Sequence, residues 1–352
     1  MICKHRRYLM YISQNYSYAI LRPIQNYILA QGGEVCWFLE GDEVNPDYLS
    51  PEEIELSSID DVISWNPDAV FVPGNVVPHF IPGVKVGVFH GFNSGKRDNS
   101  RGHFDIRGFF DLYCTQGPNT TEEFQRLATK HGFFNVVETG WSNLDPMYRA
   151  IENNPYLSSE DARPTILFCS TFTPKLSCAD TVFETVKRLS EKGNWRWLVQ
   201  FHPKMENTIV EKYKSIQGSN LQFVETDNVI PLLRAADVML CDTSSVLIMF
   251  LLLNRPVVTF RNRSPSDYLI NVTKVNEIEE ALSLAISKPD KTMSAIREYA
   301  EQVHPYRDGI SSVRVVEATN KLIEQGTGNL KRKPLNLFRK FKIRKKLGYW
   351  KL

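Results

Sequence analysis

Two blocks of alternating strand and helix patterns constrain this chain more than any other feature of its sequence. Short apolar runs such as Ala69–Val72 and Val84–Phe89 predict strands that are buried on both faces. These runs alternate with segments of helical spacing, of which Ala19–Ala30 is an example. The alternation stops in the polar residues 146–163 and starts again at Thr165. The sequence therefore predicts an α/β protein with two doubly wound parallel sheets.

The two blocks also define the predicted domains. Residues 1–150 form a first Rossmann-like domain, residues 164–325 form a second, and residues 326–352 form a separate tail. A chain of 352 residues is long enough for two cores of this size. Ligands of doubly wound sheets bind at the carboxyl ends of the strands, so we expect two such domains to face each other across a ligand-binding cleft.

The cysteines and the apolar runs limit the cellular compartment. Six cysteines are present, none in a C-x-x-C pair, and most lie in predicted strands, which indicates reduced thiols rather than zinc sites or disulfides. No apolar run approaches the roughly 18 residues of a membrane span. We interpret the basic N-terminus as the start of a first strand rather than a signal peptide. These features predict a cytoplasmic protein.

The tail carries a large share of the positive charge. Residues 330–352 contain ten Lys or Arg and no Asp or Glu, which leaves 32 basic against 40 acidic residues elsewhere, a net charge of −8. Aromatic and leucine side chains alternate with these basic residues, a pattern typical of segments that lie on anionic membranes. A disordered or nucleic-acid-binding tail is the alternative, but the acidic remainder contains no nucleic-acid motif, so we expect no nucleic-acid partner.

Two histidines follow predicted strands directly. His90 is followed by Gly91 and His202 by Pro203. An imidazole at the position of His90 can take a proton from a hydroxyl, and His202 is a candidate to contact a donor phosphate. The alternative is that each histidine only orders its loop. The basic loop after His90, with Lys96 and Arg97, is a candidate to close over an anionic acceptor, or else a solvated surface loop.

Hydroxyl-rich turns follow two strands of the second block. A helix is preceded by the turn Asp242, Thr243, Ser244 and Ser245, where backbone N–H groups and hydroxyls can bind anions. The alternative is that these residues only cap the helix. Ser170, Thr171 and Lys175 follow the first strand of this block and are further phosphate-binding candidates. A late segment offers Asp308 and the forked donor Arg314, or alternatively a cap and a surface arginine.

Several motifs are absent from the sequence. It contains neither G-x-G-x-x-G nor a P-loop, no H-E-x-x-H or other metal-spaced cluster, and no G-x-S-x-G. No visible motif therefore requires a metal, we predict no tightly bound cofactor, and we disfavour metalloprotease and α/β-hydrolase activities.

The ordered set of motifs resembles the CDP-glycerol glycerophosphotransferase family, which includes teichoic acid polymerases and primases and related capsule enzymes. The motifs are His90-Gly91, His202-Pro203, Asp242 to Ser245, Pro256-Val257, and Asp308-Gly309 through Arg314. Phe89 stands where the family usually has Trp. The resemblance implies the GT-B fold, in which two Rossmann-like domains face each other across a cleft.

The resemblance also implies the reaction. A polyol phosphate would move from a CDP-activated donor to a hydroxyl of a lipid-linked glycan, in bacterial surface-polymer synthesis at the inner face of the membrane. His90 would be the base, and His202, Thr243 to Ser245 and Arg314 would hold the diphosphate. A GT-B glycosyltransferase or a UDP-sugar 2-epimerase is the alternative, and a catalytically silent module docked at the membrane is a second one.

Overall fold

The computed structural model describes residues 5–92, 104–150, 153–157, 161–226 and 228–351. The chain divides into two compact units. Unit 1 consists of Met1–Arg149 and Val303–Leu352, and unit 2 of Ala150–Gln302. The chain therefore leaves unit 1 once, builds unit 2 without interruption, and then returns.

Unit 1 is built around a six-stranded parallel sheet. Strands β3 and β5 are buried at every residue and β1 at every residue but Arg7, as expected for parallel strands in a sheet that is covered on both faces. The strand order is β2-β1-β3-β4-β5-β6. The strands are β1 Arg7–Ile12, β2 Glu34–Leu39, β3 Ala69–Val72, β4 Val84–Gly87, β5 Leu112–Thr115 and β6 Asn135–Glu138. The helices are α1 Ser17–Ala30, α2 Ile59–Trp65, α3 Pro118–His131 and α4 Asp145–Tyr148.

Unit 2 repeats this architecture with a different strand order. Its sheet is again parallel and six-stranded, in the order β12-β11-β10-β7-β8-β9. The strands are β7 Thr165–Ser170, β8 Arg196–Phe201, β9 Leu221–Phe223, β10 Val238–Cys241, β11 Val257–Phe260 and β12 Ile270–Val272. The helices are α5 Ala179–Lys192, α6 Asn207–Ser215, α7 Ile230–Ala235, α8 Val246–Leu252, α9 Ile278–Ile286 and α10 Asp290–Val303.

The last segment of the chain differs from the predicted domain division. Helix α11, Ser311–Gln325, belongs to unit 1 and packs against α1 and β4 there. The Asp145 carboxylate accepts hydrogen bonds from the backbone N–H groups of Ser311 and Ser312, both at 2.8 Å, and so satisfies the start of this helix. The apolar face of α11 thus has its partner in the first unit, whereas the sequence assigned residues up to 325 to the second.

Residues 326–352 also pack on unit 1. Helix α12, Leu337–Leu347, buries Ile343, and Lys333 forms a 2.6 Å ion pair with Asp111. The ring of Tyr349 lies 4.6 Å from that of Phe80. The tail is therefore a docked element of unit 1, with one face held against it.

Most predicted elements agree with the structure to within a few residues, and three differences have physical causes. Strand β4 ends at Gly87 rather than at Phe89, because Phe89 has a positive φ of 59° that leaves the extended conformation. Helix α10 begins at Asp290 rather than Ser294, since the helix pattern extends back to an acidic first turn. Strand β12 was not predicted, because three half-buried residues give no clear pattern.

Candidate functional site

Each sheet has a switch point, where the strand order reverses direction. In unit 1 it lies between β1 and β3, and in unit 2 between β7 and β10. Crevices outside the carboxyl ends of the strands at such points are where doubly wound sheets bind ligands. The residues after these strands are therefore the first candidates for function in each unit.

His90 lies at the switch-point edge of unit 1. Its side chain is exposed, and its Nδ1 lies 3.0 Å from the carbonyl oxygen of Pro73, the residue after β3. A carbonyl only accepts hydrogen bonds, so Nδ1 carries the hydrogen and the lone pair of the neutral ring is on Nε2. The ring of Tyr16, which follows β1, lies 5.7 Å away. This arrangement presents an Nε2 that can accept a proton.

Asp242 lies at the switch point of unit 2, fully buried. Its carboxylate accepts hydrogen bonds from the Ser170 hydroxyl at 2.5 Å, from the Thr171 backbone N–H at 3.1 Å, and from the Cys178 backbone N–H at 3.1 Å. Burial raises the pKa of Asp242, and these hydrogen bonds act against that rise. Asp242 therefore ties the end of β10 to the loop that follows β7.

These contacts refine the predicted phosphate-binding set. The Ser170 hydroxyl is also 2.9 Å from that of Ser177, so it is engaged inside the protein. Lys175, by contrast, is exposed in the same loop. Of the residues predicted on this loop, Ser170 and the Thr171 amide hold the loop in place through Asp242, whereas the Lys175 side chain is available to a ligand.

The turn from Thr243 to Ser245 leads into α8. Ser245 is exposed, occupies the N-cap position of this helix and makes no side-chain capping bond. Across the ranges that the structure describes, the hydroxyls of Ser244 and Ser245 have no hydrogen-bond partner. Two hydroxyls and the neighbouring N–H groups thus form a small set of unused donors at the switch point.

His202 follows β8, the strand next to β7. Its Nδ1 accepts a hydrogen bond from the backbone N–H of Lys204 at 3.0 Å, and its ring lies 4.5 Å from that of Phe172. In the neutral ring the hydrogen is therefore on Nε2, which makes this atom a donor. A donor at the edge of the sheet suits contact with a phosphate oxygen.

Sequence reasoning missed three residues around this edge. Asn262 donates from Nδ2 to the backbone oxygen of Asp242 at 3.0 Å, and the Arg263 backbone N–H donates to the Thr243 hydroxyl at 3.3 Å. The Arg263 side chain is exposed beside the turn, and Phe172 is 40% exposed beside His202. Asn262 and Arg263 follow β11, so the strand-end rule used for the other strands would have found them.

The remaining predicted residues lie elsewhere. Asp308 and Arg314 belong to unit 1, not to the unit that carries the serine turn. They form an ion pair with each other, which lowers the pKa of Asp308, and the Arg314 guanidinium lies 4.3 Å from the Tyr306 ring centroid. A phosphate at Arg314 would have to share this guanidinium with Asp308. Lys96 and Arg97 lie outside the described residues.

Metal ligands and membrane spans can be judged for the same residues. Among the described positions, no three His, Cys, Asp or Glu side chains are grouped to hold a metal ion. Nor does any helix in the described ranges have the length and apolarity needed to cross a membrane. The five described cysteines are buried and free: Cys36, Cys114, Cys169, Cys178 and Cys241.

Comparison with known families supports the resemblance drawn from the motifs. Residues 134–268 match the family model described as CDP-Glycerol:Poly(glycerophosphate) glycerophosphotransferase. This range includes the loop after β7, His202 and the turn from Asp242 to Ser245, but neither His90 nor Arg314. A sequence search among curated proteins found no match. The predicted resemblance is therefore confirmed, and the match lies on the residues of unit 2 and the end of unit 1's sheet.

Solved structures with the same fold belong to two functional classes. The wall teichoic acid polymerase TagF has a TM-score of 0.66 and 14% identity, over 91% of this chain and 90% of that chain. A provisionally assigned UDP-N-acetylglucosamine 2-epimerase from Listeria monocytogenes has a TM-score of 0.66 and 16% identity, over 92% and 98%. MnaA of S. aureus in complex with UDP has a TM-score of 0.62 and 16% identity, over 94% of this chain and 99% of that chain. The predicted α/β fold of GT-B type is confirmed.

Proposed function

We propose that this glycerophosphotransferase-like enzyme transfers a polyol phosphate, such as glycerol phosphate, from a CDP-activated donor to a hydroxyl of a lipid-linked glycan in bacterial surface-polymer synthesis. The observation that supports the proposal most directly is the family match, because the matched residues include the switch-point edge of unit 2. The hydroxyl donors of Ser244 and Ser245 lie at that edge. The solved structures share only the fold with this chain and do not separate a transferase from an epimerase. The motif order then favours the transferase.

Unit 2 binds the donor in this proposal. The hydroxyls of Ser244 and Ser245 and the Nε2–H of His202 donate to the diphosphate, while Lys175 and Arg263 neutralise its charge. Asp242 contacts no phosphate and instead holds the loop after β7 in place. A nucleotide diphosphate at a Rossmann-type switch point follows the general rule for such sheets.

Unit 1 binds the acceptor, with His90 as the general base. Its Nε2 takes the proton of the acceptor hydroxyl while the hydroxyl oxygen attacks the phosphorus that carries the polyol. The bond from that phosphorus to the bridging oxygen breaks, and CMP leaves with the electron pair. The product is a phosphodiester between acceptor and polyol, and the protein contributes chiefly position and electrostatic stabilisation.

The docked tail suits an acceptor that resides in a membrane. The face of α12 opposite the buried Ile343 exposes Leu337, Phe338 and Phe341, each more than half exposed, and Trp350 lies 5.5 Å from Phe341. Lysines and arginines surround this apolar face without any acidic residue in the segment. Each cation near an anionic surface contributes on the order of 1 kcal/mol, which supports the proposal that the protein attaches to the inner face of the cell membrane from the cytoplasm.

The test is a donor panel with nucleotide release as the readout. The full chain, given a lipid-attached poly(glycerol phosphate) oligomer, should release CMP from CDP-glycerol or another CDP-polyol. His90→Asn and His202→Asn should each slow release by about 10²- to 10⁴-fold. The matched control is His5→Asn, an exposed histidine that bonds Gly32 and precedes β1, which should retain full activity.

The same panel decides between the alternatives. Turnover of UDP-sugars alone, with no CMP from any CDP donor, would overturn the proposal in favour of a 2-epimerase or a glycosyltransferase, whose fold the chain shares. No turnover of any donor, with unchanged biological activity in the His90 and His202 variants, would indicate a catalytically silent module.

A further inference from the structure

A second histidine of unit 1 lies buried behind the His90 loop. His304, at the point where the chain returns from unit 2, is fully buried, and its Nε2 accepts a 2.9 Å hydrogen bond from the backbone N–H of Trp141. The Tyr148 ring stacks on it at 6.2 Å and the Phe92 ring meets it edge-on at 6.3 Å. Phe92 is two residues from His90, so His304 packs against the loop that carries the proposed base.

Two glycines permit this close approach. A Cβ added at Gly140 would lie 2.4 Å from the Ser311 hydroxyl oxygen and 3.0 Å from His304 Nε2. A Cβ added at Gly117 would lie 2.4 Å from the backbone oxygen of Val303. Only glycine fits at either place, and the returning segment is thereby held tightly against the ends of β5 and β6.

Trp141 connects His304 to the residue before His90. Its indole Nε1 donates to the backbone oxygen of Phe89 at 3.3 Å, and its ring meets that of Phe92 at 5.2 Å. Phe89 has the positive φ of 59° that a phenylalanine rarely adopts, so the surrounding contacts must hold it there. On the other side of His90, Gln116 donates to the backbone oxygen of Gly91 at 3.0 Å.

We propose that His304 and Trp141 are positioning residues that fix the strained backbone around His90 and so set the direction of its Nε2. The proposal rests on the proposed role of His90 as the base. His304 touches neither donor nor acceptor in this account. It acts through the Trp141 amide, whose position determines where the indole meets Phe89.

The protonation state of the His304 ring is the one that this positioning role requires. Burial, with a smaller contribution from the nearby Arg314, lowers the pKa of His304 to about 4, while backbone hydrogen bonds and Asp308 oppose the shift. At neutral pH the ring is therefore uncharged and its Nε2 can accept from Trp141. A doubly protonated ring would instead place an N–H against the Trp141 N–H and break the connection.

The experiment combines a spectroscopic and a kinetic readout on the full chain. His304→Phe keeps a flat buried ring but removes the acceptor, Trp141→Phe keeps a smaller aromatic ring but removes the indole donor, and His304→Gln supplies another acceptor. We expect His304→Phe and Trp141→Phe to lower kcat by about 10- to 100-fold, with the donor KM within about twofold of wild type. His304→Gln should recover most of the loss.

The ¹⁵N NMR signals of the His90 ring give the readout that does not depend on catalysis. The wild type should show the Nδ1–H tautomer, and the two Phe variants a mixture of tautomers. The matched control is His79→Phe, which removes a half-buried histidine of unit 1 that also has a pKa of about 4 and packs on Phe80, and which should change neither readout.

Each outcome has a separate meaning. Folded Phe variants with unchanged kcat and unchanged His90 tautomer would overturn the positioning role. If His304→Phe does not fold, Trp141→Phe with unchanged readouts overturns it equally. A wild type that releases no CMP rejects the proposed function instead, and the His90 tautomer still decides whether His304 and Trp141 position that ring.

Discussion

Asp242 shows how the side chains at a strand end can divide between structure and function. It is fully buried, and its carboxylate accepts hydrogen bonds from three residues: the Ser170 hydroxyl and the backbone N–H groups of Thr171 and Cys178. The side-chain hydroxyls of its neighbours Ser244 and Ser245 make none in the described part of the chain. Asp242 thus fixes the turn in place, and the hydroxyls of Ser244 and Ser245 remain available to a ligand.

Asp242→Asn should therefore damage unit 2 without removing a ligand contact. The amide NH₂ would face donors that now bond to a carboxylate, and leaving them unpaired costs about 2 kcal/mol. We expect that loss in the free energy of unfolding measured in urea, together with faster hydrogen exchange at residues 171–178. Asp180→Asn, an exposed position on α5 of the same unit, is the control. Unchanged stability of the Asp242 variant would contradict the structural role.

His304 also predicts a pH dependence of stability. Its pKa is about 4 in the folded protein against 6.5 ordinarily, so between these values the unfolded chain binds a proton that the folded chain does not. The free energy of unfolding should fall as the pH drops from 7 to 4, by up to about 3 kcal/mol from this group. Urea unfolding at several pH values should show a shallower fall in His304→Gln. Equal slopes in the two proteins would contradict the assignment.

The positions of His90 and His202 could be predicted from the sequence because each directly follows an apolar run, and such runs are local features. In the structure His202 follows β8 directly, and His90 lies three positions after the end of β4. The inward direction of Asp242 could not, since it depends on amides supplied by the loop after β7, 71 positions from it in the chain. The pairing of Asp308 with Arg314 was not predicted either, although only six positions separate the two residues.

Helix α12 illustrates a boundary that depends on tertiary contacts. An isolated 11-residue helix is marginal in water, and this one is ordered on unit 1 through Ile343, Tyr349 and the Lys333–Asp111 ion pair. The sequence predicted its amphipathic and basic character but not its docking. One face of the helix packs on unit 1, and the other face is apolar and exposed.

The exposed face of α12 leads to a binding prediction. Phe338→Ser combined with Phe341→Ser should reduce binding to vesicles of phosphatidylglycerol and phosphatidylcholine by at least tenfold in sedimentation, because two rings no longer enter the interface. Leu284→Ser, which changes an apolar residue of α9 that is 48% exposed, should bind as wild type does. Binding of wild type should also weaken at high salt. Undiminished binding of the double variant would show that the face does not contact the membrane.

For the molecule as a whole, the repeated alternation of strands and helices was enough to predict two parallel sheets, because buried parallel strands are continuous apolar runs. It was not enough to predict that residues 303–352 return to unit 1. Helix α11 is amphipathic and would suit either sheet by its pattern alone. Its choice depends on Asp145 at its N-terminus and on close approaches at Gly117 and Gly140.

The fold is shared by polymerases and epimerases, so chemistry must decide the function. The most direct measurement follows CDP-glycerol labelled with ³²P in the phosphate next to glycerol, incubated with the full chain and a lipid-attached poly(glycerol phosphate) oligomer. Our account predicts that the label enters the oligomer as a phosphodiester while unlabelled CMP is released. Label leaving in free CDP, or remaining in intact donor while UDP-N-acetylglucosamine is consumed, would contradict it.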